Sequence, residues 1–180
     1  MNMISGAWRF GVLSVLAFGV WAAPLRLNEL TLYSLIALVF LIGSGLFLFP
    51  LFDGDKRIST CYKLFLPAFL SYAIIWCVFW FGIGGSAGEL FGSAFGLAVF
   101  AFIFYRFYNP SRTMPFLMQW SVLFLFHTLG YTLGGMFSYA AYGKGSLAFL
   151  MEGHVMVGQL MWGLFYGLGF GAGLGKILER

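Results

Sequence analysis

Long stretches without a single Asp, Glu, Lys or Arg divide this chain: 10–25, 30–52, 64–88, 90–105, 113–143 and 153–175. A helix needs about 20 mainly apolar residues to cross the hydrocarbon of a bilayer. The second, third, fifth and sixth stretches reach that length alone. The first does so if Arg9 snorkels to the interface, and the fourth if Glu89 is taken in near one end. Two spans and a turn need more than about 40 residues, so 113–143 predicts one long or tilted helix. The predicted spans are about 5–23, 30–51, 63–83, 86–106, 115–140 and 148–175. Each has to be helical, because lipid offers no partner for an unpaired backbone N–H or C=O. The period-two alternation of a membrane β-barrel is absent. Pro24, Pro50, Pro110 and Pro115 fall at predicted ends, whereas Pro67 lies inside the third span and predicts a kink there.

Composition agrees with this pattern. Hydrophobic residues make up 61% of the 180 and charged residues 9%, with a mean hydropathy of +0.91. A soluble domain has about 45–50% and about 25%. Ten Lys+Arg and six Asp+Glu cannot cover a water-facing surface, which excludes a soluble enzyme, a nucleic-acid module and a disordered region. The expected fold is all-α, one integral membrane domain over 1–180 with six transmembrane helices.

The basic residues set an orientation. Arg9, Lys56, Arg57, Lys63, Arg106, Arg112, Lys176 and Arg180 fall on one side of a six-span chain, and Arg26 and Lys144 on the other. Eight against two places both termini in the cytoplasm, and the expected location is a bacterial inner (plasma) membrane. Trp21, Trp76 and Trp80 then lie near the outer interface. Arg9, the apolar run after it and the small residues Ala22 and Ala23 also mimic a secretory signal peptide. The segment is read here as the first span. Cys61 and Cys77 are sixteen helical residues apart, about 24 Å, so they cannot bridge. The loop 52–62 carries Asp53, Gly54 and Asp55, too few oxygen ligands for a calcium loop.

Glycine forms the strongest pattern. There are 25, about twice the usual ~7% share. Gly84, Gly88, Gly92 and Gly96 recur every fourth residue in the fourth span and its approach, and Gly163, Gly167, Gly171 and Gly175 in the sixth. Gly169 and Gly173 form an offset row, and Gly130 and Gly134 a shorter one. Such rows let a neighbouring backbone approach closely. The fourth and sixth spans are expected to pack on each other through these rows, or each to grip another protomer.

Polar side chains at depth are few, so each is informative. The candidate ion or proton path consists of Glu89, Glu152, His127, His154, Tyr131 and Gln159, with Gln119 as further polar company. Glu89 enters the fourth span near its outer end. Glu152 and His154 do the same in the sixth, and Glu29 precedes the second span on that side. At 100° per residue Gln159 and Gly163 lie within about 20° of Glu152, whereas His154 lies about 160° away unless the helix start is unwound. Tyr131, Gly134 and Ser138 follow His127 on nearly one face.

Several chemistries are weighed against these residues. A b-type haem between His127 and His154 would need two ligands at similar depth, and these differ by about 10 Å. A metal held by Glu89, Glu152 and His154 would need neighbours that point together, and they point apart. The Gly84-x-Ser86-x-Gly88 match lacks the strand-to-helix elbow that gives such a motif its chemistry. No phosphate loop, dinucleotide fingerprint or inverted repeat is evident. The run Gly85-Ser86-Ala87-Gly88-Glu89-Leu90-Phe91-Gly92, with His154 in a Gly-rich sixth span, resembles the rhomboid family of intramembrane proteases. That family carries its nucleophile in Gly-x-Ser-Gly at the start of the fourth helix. Here that position is Ala87, and Ser86 is one residue out of register. The resemblance implies a similar helix arrangement without protease activity.

The expected function is passage of a small solute, ion or proton by a channel or compact transporter. Glu29, Glu89 and Glu152 would draw cations toward an entrance and His127 would relay a proton. The alternative is a non-catalytic subunit of a larger membrane complex that binds lipid, quinone, pigment or haem. The expected partners are the bilayer and a second copy or other membrane subunits, with no nucleic acid.

Overall fold

A computed structural model describes residues 3–25, 27–108 and 114–179. Arg26, Pro110, Arg112 and Arg180 lie outside them, as does the side chain of Glu29. Among the described residues the elements are α1 (Met3–Ala22), α2 (Glu29–Phe47), a 3-10 turn (Phe49–Leu51), α3 (Arg57–Gly82), α4 (Gly85–Phe107), α5 (Phe116–Ala141), α6 (Ala148–Met151) and α7 (Val155–Ile177), with no strand. Six of these helices are long and apolar enough to cross a membrane, and the chain is an all-helical integral membrane protein.

Local chemistry fixes the helix ends. Asn28 caps α2 by accepting the Thr31 N–H at 2.8 Å. Pro115 stands immediately before α5, where its missing N–H costs nothing. Gly84 and Gly85 take φ of 72° and 57°, which makes the tight reversal between α3 and α4. α3 begins six residues before its predicted start and runs through Pro67 as helix. The sixth predicted span, 148–175, is not continuous. The chain breaks at Glu152–His154, where Gly153 has φ 84°, and α7 starts at Val155.

Consecutive long helices pack antiparallel, and α7 closes the bundle against α1. The order around the resulting ring is α1, α2, α3, α4, α5, α7. Antiparallel pairing of α1 and α7 follows from the glycines: Gly6 lies against Gly171 and Gly175, Gly167 against Gly11, and Gly163 against Phe18. One side of the ring carries both chain ends and is called the terminal side. The other carries the α1–α2, α3–α4 and α5–α7 connections and is called the distal side.

The glycine rows do bring backbones together, but with partners other than those expected. Gly88, Gly92 and Gly96 of α4 face Phe79, Trp76 and Tyr72 of α3. Gly163, Gly167 and Gly171 of α7 face α1, while Gly169 and Gly173 face Gly130, Phe126 and Leu123 of α5. Two rows offset by two residues point about 200° apart, so α7 is held between two neighbours. α4 and α7 instead meet through long side chains, as where Phe100 and Phe170 lie 5.2 Å apart. The cause is connectivity: a two-residue turn ties α4 to α3, and ring closure brings α7 to α1. Gly84 is not part of the packed row; it shapes the α3–α4 turn.

Aromatic rings fill the interior. Phe10 of α1, Phe65 of α3, Phe100 of α4 and Phe170 of α7 are fully buried. Their centroids are 4.6 Å (Phe10–Phe170), 5.2 Å (Phe100–Phe170), 6.0 Å (Phe65–Phe100) and 6.1 Å (Phe10–Phe65) apart. Each belongs to the terminal-side half of its helix. Apolar side chains such as Leu30, Ile74 and Phe81 cover the outside, as a surface solvated by lipid requires.

Candidate polar site inside the helix ring

A polar cluster lies on the distal flank of the Phe plug. His127, the twelfth residue of α5, is fully buried. Its Nε2 lies 2.8 Å from the hydroxyl of Tyr72 on α3. The ring is enclosed by aromatic neighbours: Tyr166 at 5.4 Å, Tyr131 at 5.7 Å and Phe170 at 5.9 Å between centroids. Tyr131, one turn further along α5, stacks on the imidazole at an interplanar angle of 14° and donates its hydroxyl to Oε1 of Glu89 on α4 at 3.0 Å. α3, α4, α5 and α7 therefore each contribute a side chain.

The geometry has a direction. Glu89 enters α4 one turn from its distal end and is half-buried. From there the groups run inward as Glu89, Tyr131, His127 and Tyr72, and the line ends on Phe170 and the plug. Trp162 of α7 packs on Tyr131 at 5.3 Å and on Trp21 at 5.6 Å. A carboxylate in apolar surroundings needs a donor, and Tyr131 supplies one. The Tyr72–His127 bond likewise satisfies two groups that lipid could not solvate.

Not every predicted residue joins this cluster. Glu89, Tyr131 and His127 are brought together. Glu152 is exposed on the connection before α7, where its carboxylate lies beside Gly143. Gly143 lies beyond the end of α5 at Ala141, and Tyr131 lies ten residues before that end, about 15 Å at helical rise, so the two glutamates address different levels. His154 is exposed at the start of α7, because the chain there is unwound, and it is not brought near His127. Ser86 is exposed at the distal end of α4. Gln159 is buried on α7, one turn before Trp162 and Gly163. Gln119, also buried, donates to the Met114 carbonyl at 3.1 Å and serves the α5 start.

Tyr72, Tyr166 and Trp162 were not singled out by sequence reasoning. A tyrosine near mid-span carries a hydroxyl that lipid cannot satisfy, and that signal marks all three tyrosines of the cluster equally.

The chain was compared with protein-family models, curated proteins and solved structures, and it matches none of them.

Proposed function

We propose that this protein passes a proton or a small cation across the membrane as a compact carrier. The observation that carries the reading is the line Glu89–Tyr131–His127–Tyr72, which leads from the distal side to a buried imidazole. A carboxylate near one end of a ring of helices attracts cations, and an imidazole can take up and release a proton. The Phe10–Phe65–Phe100–Phe170 cluster beyond it favours a carrier over an open channel, because closely packed rings leave no continuous path for water. Passage then needs the plug to move. The excess of Lys and Arg on the terminal side supports both termini in the cytoplasm of a bacterial cell, with Glu89 toward the outside. The glycine rows are occupied within one chain, so assembly with a second copy or another subunit would use other surfaces.

Proteoliposomes with a trapped pH-sensitive dye test the reading. Acidifying the outside should produce internal acidification that Glu89→Gln and His127→Ala, each correctly folded, abolish. Equal flux in the wild type and both variants would refute it.

A further inference from the structure

One ring nitrogen of His127 is bonded to Tyr72, but the other, Nδ1, is buried and has no hydrogen-bond partner in the protein. Among the other buried polar atoms that share that condition are Thr128 Oγ1 and Trp162 Nε1. The first belongs to the next residue on α5, and the second to the indole packed on Tyr131. The large majority of buried polar groups are satisfied, by protein or by ordered water, and a helix bundle in lipid has no loop or bulk solvent to offer at this depth.

The chemistry at Nδ1 follows from the tautomer. A neutral imidazole has one N–H and one lone pair. If Tyr72 donated to Nε2, the buried Nδ1 would carry an orphaned N–H, the rarer and less tolerated condition. If Nε2–H donates to the Tyr72 oxygen, Nδ1 presents a lone pair, the less costly group to leave without a partner. The second arrangement leaves no N–H of the imidazole unpaired. Its open position accepts a hydrogen bond. Tyr72, Tyr131, Tyr166 and Phe170 crowd the imidazole at 5.4–5.9 Å, so the donor has to be very small.

We infer that His127 Nδ1 is a binding site for water, which donates a hydrogen bond to it. This deepens the carrier reading by naming the atom that would receive a proton. The site itself stands on the buried, unpartnered nitrogen and its neighbours. The ionisable groups that face it are Tyr72 from α3, Tyr131 from its own helix, Tyr166 from α7 and, through Tyr131, Glu89 from α4.

The chain has only two histidines, so His154→Gln leaves His127 as the sole imidazole. His154 is exposed outside the cluster and its replacement should leave the fold intact. The protein is labelled with 15N-histidine, placed in lipid nanodiscs and studied by solid-state NMR with water-edited transfer. The expected result is a protonated Nε2, an unprotonated and hydrogen-bonded Nδ1, and magnetisation transfer from water to the imidazole. In Tyr72→Phe, the Nε2 signal should move while the transfer from water persists. A protonated Nδ1, or no transfer from water in the His154→Gln protein, would overturn the proposal. Because that spectrum needs only the parent fold, it decides the matter even if Tyr72→Phe does not fold. A positive spectrum combined with no proton flux would retain the water site and reject the carrier reading.

Discussion

The Tyr72 hydroxyl and His127 Nε2, 2.8 Å apart, join α3 to α5 across the interior of the helix ring. Neither helix is the other's neighbour around that ring, so this bond is a strut as well as part of the polar line. Its loss leaves a buried nitrogen unpaired, which costs about 1–3 kcal/mol. Tyr72→Phe is expected to lower thermal stability in detergent by that amount. Tyr62→Phe, which removes a bond to the Ile42 carbonyl in an exposed setting, should cost less. Equal losses would show that the strut has no special weight.

The glycine rows predict a graded response to bulk. A Cβ on Gly167 would meet Gly11 Cα and the Phe10 carbonyl at 2.8 Å, and one on Gly92 would meet Trp76 Cα at 3.0 Å. Gly19 has nothing within 4 Å. Gly167→Leu and Gly92→Leu should each destabilise by roughly 1–3 kcal/mol or more through overpacking. Gly19→Ala should be neutral or slightly stabilising. Thermal unfolding of the three proteins in one detergent provides the comparison.

Glu89 and Glu152 should separate in function. One group in a proton relay typically contributes on the order of 10²–10⁴-fold. Flux in proteoliposomes should fall on that order for Glu89→Gln and stay near the wild-type value for Glu152→Gln, whose carboxylate sits out at Gly143. A matching loss in both variants would place the entrance at the α5–α7 connection instead.

At the terminal side, Lys176 donates to Glu179 at 2.5 Å, and this ammonium holds the Glu179 carboxyl below the usual carboxylate range. A carboxyl with a lowered folded-state pKa adds stability above its unfolded value, about 4.3, and loses it as pH falls through the lowered value. Both groups are solvent-accessible, so the effect is small. Glu179→Gln should therefore melt slightly below the wild type at pH 6, with the gap closing in more acid solution.

The number of spans and most of their ends were legible in the sequence, because a charge costs too much in hydrocarbon to be hidden inside a span. The breaks at Gly84 and Gly153 are harder to place. Gly84 lies in a Gly-rich stretch and Gly153 inside the predicted sixth span, and only the left-handed backbone at each, with φ 72° and 84°, reveals where the chain turns. Of the polar residues, Glu89, Tyr131 and His127 could be picked out by type and depth. Glu152 and His154 looked alike until the unwound start of α7 put them outside the bundle.

What the sequence determined by itself is therefore one-dimensional: six apolar helices and the few groups that lipid cannot solvate. Which helix touches which was decided only by tertiary structure. In a soluble protein the apolar face identifies the core, but lipid and core are both apolar, so periodicity loses that information. Gly92 and Gly167 announced close contacts without naming partners. Chain closure chose them, giving α4 to α3 and α7 to both α1 and α5. The same closure placed Tyr72 opposite His127, fifty-five residues away, because only a filled ring brings a hydroxyl on α3 to an imidazole on α5.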